Sequence, residues 1–150
     1  MQNIRVERIS SITETLASSL ANLLTELSAM APRPNVDEIK RILDSDVVHV
    51  FVAYDDDVPA GMLTLVCVTL LSGKKCIIED VIVSAEFRRR GIASELIRSA
   101  VAYSRINGSR YVDLTSRSER VAANALYRQL GFVERQTNVY RLALLDKSTL

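Results

Sequence analysis

The sequence predicts an α/β (α+β) domain with a mixed, mostly antiparallel central sheet, one parallel β-α-β crossover and helices on both faces. Three observations carry that expectation. Apolar residues recur at helical spacing in four separate stretches. β-Branched runs between them are joined by short turns rich in Asp and Gly. After Gly91 the hydrophobic period changes from that of a strand to that of a helix, which marks a crossover. At 150 residues the chain fits one domain over 1–150 with a single core.

Taken in order, Ile4 to Ile9 alternates weakly and reads as a first strand. Ser11-Ile12-Thr13-Glu14 has the form of a capping box, in which serine and glutamate satisfy each other's backbone N–H groups. Leu16, Leu20, Leu23, Leu24 and Leu27 follow at helical spacing, which predicts a helix over 11–30 ended by Pro32 and Pro34. Asn35 and Glu38 repeat the capping pattern before a short helix reaching Asp44. Val47 to Tyr54 and Val58 to Leu71 flank an aspartate turn as a hairpin, and Ser72-Gly73-Lys74 turns the chain into a strand from Cys76 to Val83. Ile92, Ala93, Leu96, Ile97, Ala100 and Val101 form the stripe of the crossover helix, stopped by Asn107-Gly108. Tyr111 to Thr115 is a short strand. Val121 to Leu130 is a last helix closed by Gly131, and Phe132 to Leu144 is expected to be one bent or bulged strand.

Composition narrows the function classes. With 48% hydrophobic and 25% charged residues the chain can fill a core and stay in solution. A net charge of +1 supplies no global field for nucleic acid or an anionic membrane, so any anion site must be local. The apolar region from Val47 to Leu71 is broken by Asp55, Asp56 and Asp57, leaving no span of about 20 apolar residues. With no leader pattern at its start, the chain is expected to be cytoplasmic. Cys67 and Cys76 are the only cysteines; they read as buried structural thiols, or as a disulfide should their strands be neighbours. His49 is the sole histidine, in an apolar run, and reads as structural. No metal-ligand spacing is present.

Arg88-Arg89-Arg90-Gly91-Ile92-Ala93 joins the strand ending at Val83 to the crossover helix. A helix start presents unpaired N–H groups and the positive end of its dipole. Gly91 lets backbone approach an oxygen, and three arginines add charge. Alone, such a turn is more often a solvated basic loop. Its place at the carboxyl end of a parallel strand favours a phosphate seat. It is neither a Walker loop nor a dinucleotide fingerprint.

These residues, following Ile-Glu-Asp-Val-Ile-Val, resemble the acetyl-CoA motif of the GNAT superfamily of N-acetyltransferases. The run Asn124-Ala125-Leu126-Tyr127-Arg128-Gln129-Leu130-Gly131-Phe132 resembles that family's helix-to-last-strand motif. The resemblance departs at Arg88, where glutamine is as typical, and at Ser84-Ala85, which replaces a common proline turn. It implies acetyl-CoA as cosubstrate and no metal. Backbone groups of Val81, Ile82 and Val83 would bind pantetheine, and the turn from Arg88 through Arg89, Arg90, Gly91, Ile92 and Ala93 to Ser94 would hold the pyrophosphate. The family's tyrosine corresponds to Tyr127, the implied general acid.

Asn124 and Tyr127 are three apart on one helix and so share a face, a pair suited to point at the cofactor. Tyr127 otherwise reads as an interfacial tyrosine. Glu79 lies four before Val83 and by strict alternation shares its face, which makes it the candidate base, directly or through water. A carboxylate that only pairs with an arginine is the other reading. The expected reaction is acetyl transfer to a primary amine of a small molecule, with protein lysine or N-terminal amines and a non-catalytic acyl-CoA-binding module as alternatives. Val139 to Leu144 is apolar enough to allow a homodimer.

Overall fold

The structure, a computed structural model, describes residues 3–145. The elements are β1 (Ile4–Arg8), α1 (Glu14–Leu27), α2 (Val36–Leu43), β2 (Val48–Asp55), β3 (Val58–Leu70), β4 (Gly73–Val83), α3 (Ile92–Ile106), β5 (Val112–Asp113) and α4 (Val121–Gln129), with a 3-10 turn at Ala85–Phe87. By packing, the chain divides into two compact units, the first ending at Thr115 and the second beginning at Ser116.

Local chemistry sets the helix ends. Thr13, rather than Ser11, caps α1, its hydroxyl accepting from the Leu16 N–H at 3.1 Å. Ile12, just ahead of the cap, is buried in the same cluster as Ala17, a hydrophobic staple that fixes the start of the helix. That apolar anchor displaces the Ser11 box the spacing suggested. On α2 the box forms as expected: Glu38 N–H donates to Asn35 Oδ1 at 2.9 Å, and Asn35 N–H to Glu38 Oε2 at 2.8 Å.

The sheet order is β1-β2-β3-β4-β5, antiparallel except for the parallel pair β4-β5. Helices cover both faces, and interior strand β2 is accordingly buried at every residue from His49 to Ala53. Val50, Val52, Met62 and Ile82 pack with Ile12, Leu20, Leu23 and Ile39 under α1 and α2. The opposite face carries Phe51 against Tyr103 of α3 at 6.0 Å between ring centres. Leu63 and Leu65 of β3, with Ile92, Leu96 and Ile97 of α3, are essentially inaccessible to water. Full burial of one such side chain contributes roughly 1.5–3 kcal/mol, so this face fixes α3 firmly.

Cys67 and Cys76 stand directly opposite each other on β3 and β4 and are joined as a disulfide, with Cα atoms 4.2 Å apart. That corrects the reading of two structural thiols. Both sit on neighbouring strands in register, which is the condition the sequence left open.

In the second unit α4 closes with a Schellman motif. Phe132 N–H donates to Tyr127 O at 3.0 Å and Gly131 N–H to Arg128 O at 3.1 Å, with Gly131 at φ 92°. The strand expected from Phe132 to Leu144 is not formed among the described residues. Its alternation is real, but Tyr140, Leu142 and Leu144 are all exposed, and residues 133–145 join no backbone hydrogen bond among those described. A strand is defined by its ladder, and pattern alone provides no partner.

His49 is buried on the α3 face beside Tyr103, with ring centres 4.6 Å apart. Burial first, then the Arg8 charge, lowers its pKa, while Asp46 pulls the other way. As pH falls from the ordinary value of 6.5, the unfolded chain takes up a proton that the folded chain refuses, so stability falls until the lower folded value is passed. Urea midpoints of the native chain are therefore expected to decline more steeply below pH 6.5 than those of His49→Gln; equal slopes would mean that this ring is not held neutral by the fold.

Candidate functional site

The site is built on β4. Toward β3 this strand is paired along nearly its whole length, but toward β5 only Cys76↔Val112 and Ile77↔Asp113 are in register. Beyond Ile77 that edge has no ladder partner among the described residues. The β3–β4 register slips between Met62 and Thr64, where Asp80 adopts φ 48°, a β-bulge. Past the bulge Ser84 N–H donates to Ala60 O at 2.9 Å. Alternation then sends the backbone groups of Ile82 toward β3 and those of Val83 and Val81 to the open edge. Of the three residues expected to offer backbone to a ligand, Ile82 is thus used by the sheet.

The bulge also overturns one reading. Glu79 is in register with Thr64 and Val83 with Gly61, two β3 residues three apart and therefore on opposite faces. Glu79 does not share the Val83 face, because one inserted residue reverses the alternation. It is exposed and makes no hydrogen bond or ion pair among the described residues.

After Val83 the 3-10 turn at Ala85–Phe87 leads to Arg89 at φ 62° and Gly91 at φ 76°. Both are left-handed, and glycine adopts this conformation without steric cost. A Cβ on Gly91 would meet no protein atom within 4 Å, so open space lies above the turn. Gly91 has no side chain to cap α3, and the first intrahelical bond is Glu95 N–H to Gly91 O at 3.1 Å. The N–H groups of Ile92, Ala93 and Ser94 are therefore left for an acceptor at the positive end of the helix dipole.

The arginines divide their work. Arg90 Nη1 bonds Asp55 Oδ2 at 2.7 Å, with its guanidinium over the Phe87 ring. Arg88 leans toward Glu26 at 3.7 Å and toward the Val83 carbonyl at 3.4 Å. Arg89 has no carboxylate partner among the described residues. Glu26 of α1 also accepts the Ala85 N–H at 2.9 Å, which moors the turn to the helix. Neither Glu26 nor Asp55 stood out in sequence, since each is one acid among many until the fold brings it to the turn.

Gly61 was equally unmarked, although a glycine inside a strand signals close approach of another backbone. A Cβ there would lie 2.8 Å from Ile82 O, 3.2 Å from Ile92 and 3.3 Å from Leu96. It seats the first turn of α3 against the sheet.

In the second unit Asn124 and Tyr127 lie one turn apart on α4. The Asn124 amide donates to Arg117 O at 2.9 Å, which commits that group to holding the preceding loop. Tyr127 is half-buried, packs edge-on against Phe132 at 6.1 Å, and has its phenol pushed up by burial, with Arg120 opposing. Among the described residues no three His, Cys, Asp or Glu side chains gather as a metal site, and no helix is long and apolar enough to cross a membrane.

The profile of the acetyltransferase (GNAT) family matches residues 17–132 of this chain, a span that takes in β4, the arginine turn and α4. The chain belongs to the GNAT acetyltransferase family. A curated relative, an uncharacterised N-acetyltransferase of Methanocaldococcus jannaschii, is 30% identical over 100 residues. That match covers 65% of this chain and 44% of the relative, so the shared part is less than half of the longer protein. Among solved structures, an aminoglycoside acetyltransferase from an uncultured soil metagenomic sample, in complex with sisomicin, has a TM-score of 0.84 at 20% identity, over 95% of this chain and 97% of that one. An aminoglycoside N-acetyltransferase in complex with CoA has a TM-score of 0.80 at 19% identity, over 97% of each chain. At such identities the likeness is one of fold.

Because Gly61 lies against a backbone oxygen, Gly61→Val is expected to destabilise the protein by about 1–3 kcal/mol through overpacking. Urea denaturation measures it; an unchanged midpoint would mean that α3 is not seated on this glycine.

Proposed function

We propose that this GNAT member is an acetyl-CoA-dependent N-acetyltransferase acting on a primary amine of a small polar molecule. The observation that carries the reading is the free edge of β4 at Val81 and Val83, leading by a left-handed turn to the uncapped start of α3. An extended amide-bearing arm suits that edge, and a pyrophosphate suits three helix N–H groups with Arg89 beside them. The open space over Gly91 fits such a group. Arg88 and Arg90, held by Glu26 and Asp55, act chiefly by shaping the turn.

Acetyl-CoA supplies an already activated thioester, so the protein has no need of a covalent intermediate. Its own groups align the amine, stabilise charge on the carbonyl oxygen and move two protons. The amine nitrogen bonds the acetyl carbon as the carbon–sulfur bond breaks. A backbone N–H on the Val81–Val83 edge is the proposed oxyanion donor. Tyr127, its phenol raised by burial, stays protonated at neutral pH and gives its proton to the departing thiolate, whose conjugate acid lies near 8.5. Glu79, turned from the Val83 face by the bulge, takes the amine proton through water. Asn124 positions the loop ahead of Tyr127.

For the acceptor, amines of the amino-sugar or aminoglycoside class lead, because neighbours of this fold include aminoglycoside acetyltransferases. Residues 1–150 are read as a single N-acetyltransferase domain, and the exposed apolar run from Val139 to Leu144 is assigned to a homodimer. We place the protein in the cytoplasm.

An amine panel read by thiol release tests the reaction; acetyl-CoA binding without release on any amine would leave only a binding module. Tyr127→Phe should lower kcat by about 100-fold or more while leaving the KM for acetyl-CoA nearly unchanged. Equal losses in both constants would make Tyr127 structural. Gly91→Glu, which puts bulk and negative charge at the turn, should abolish acetyl-CoA binding by calorimetry, and retained affinity would remove the turn from the site.

A further inference from the structure

At the other end of α3 lies a cavity of about 250 Å³ that the acetyl-transfer reading does not use. Tyr103 is 11 residues past Ile92, about 17 Å along the helix axis from the arginine turn. The cavity is bounded by the end of β1, the segment after α2, the start of β2 and the last turns of α3, all within the first unit. Its lining is polar for a space between packed elements: Arg8, Ser45, Asp44, Asp46, His49 and Tyr103.

Three features bear on what it could hold. His49 is 8% exposed, lines the cavity, and its ring makes no hydrogen bond to protein among the described residues. Its ring nitrogens reach the water of the cavity and are open to a ligand there. Arg8 holds its guanidinium over the Tyr103 ring, 5.0 Å from its centre, with no carboxylate within ion-pair distance among the described residues. Ser45 Oγ accepts the N–H groups of Val47 and Val48 at 3.1 and 3.3 Å, which leaves its own proton to donate. Arg8, His49 and Ser45 thus offer donors to one acceptor.

The charges facing His49 decide what kind of acceptor. Arg8 comes from β1, Asp44 and Asp46 from the segment after α2, and Tyr103 from α3. A plain anion would meet Arg8 but be opposed by two aspartates, and a plain cation would be opposed by Arg8. A molecule bearing both signs meets both sets. Its carboxylate would bond Arg8, Ser45 and His49, and its ammonium group would face Asp46 and Asp44, the latter at the negative end of α2. The volume lies just below the range of drug-sized pockets, which suits a molecule of this size.

We propose that this cavity is a second binding site, separate from the acetyl-transfer site, that takes a small zwitterion with the carboxylate-and-ammonium chemistry of a free α-amino acid. Occupancy there clamps α3 to β1 and β2 at the end opposite the arginine turn.

His49 is the chain's only histidine, so its ring protons give one unambiguous NMR signal. Common α-amino acids are added singly at millimolar concentration, with acetate, methylammonium and inorganic phosphate as separate probes. At least one amino acid should shift the His49 signal saturably, with apparent affinity about tenfold or more above acetate and methylammonium. Arg8→Met and Asp46→Asn should each weaken that binding about tenfold or more, the loss expected for a charged hydrogen bond. Asp46 is exposed, so its variant should keep the dispersed amide spectrum of the native fold. No saturable shift with any amino acid overturns the proposal. So do acetate or phosphate binding as tightly as the best amino acid, and Asp46→Asn binding unchanged.

Discussion

Strand β4 is bonded to β3 almost throughout and to β5 only at Cys76 and Ile77, and a single residue is inserted at Asp80, three residues past the end of that second ladder. Below the bulge, the side chains of β4 alternate between two helix-covered faces. Above it, the faces are exchanged, and beyond Ile77 one edge of the backbone has no ladder partner among the described residues. A strand edge with unpaired N–H and C=O groups is normally a hazard in solution. Here it runs to a helix start that is also uncapped, so two sets of unsatisfied donors lie in sequence along one path.

The surroundings of that path are rigid for reasons unrelated to any ligand. Gly61 brings the first turn of α3 down onto the sheet, and Ile92 and Leu96 are sealed beneath it. Glu26 moors the turn from one side and Asp55 from the other, each by an arginine and the former also by a backbone N–H. Donors fixed in this way need little reorganisation when an anion arrives, which is the condition for strong electrostatic stabilisation. The same interactions consume the charge of Arg88 and Arg90. The uncapped backbone N–H groups and Arg89 are left without a protein partner among the described residues, although the sequence presents three equivalent arginines.

The acetyl-transfer site proposed above lies along β4, while the far end of α3 follows different physics. There the chain assembles donors and acidic groups around a cavity open to water. One helix thus has uncapped backbone N–H groups at its start and a mixed-charge cavity at its end. Both ends rest on the same buried stripe of Ile92, Leu96, Ile97 and Ala100.

The residues alone determined the element order through α4, the crossover, the glycine turn that opens α3 and the family. Each of these is local: a period of hydrophobicity, a glycine at a helix start, a run of nine residues around Tyr127. The capping box of α2 was legible for the same reason. Tertiary structure decided what depends on partners distant in sequence. It opposed Cys67 to Cys76, gave Arg90 to Asp55 and Arg88 to Glu26, and inserted the bulge that turned Glu79 from the Val83 face. It also withheld a ladder from the apolar alternation after Phe132, because a pattern states which face a strand would bury but not whether a neighbouring strand exists to bond it.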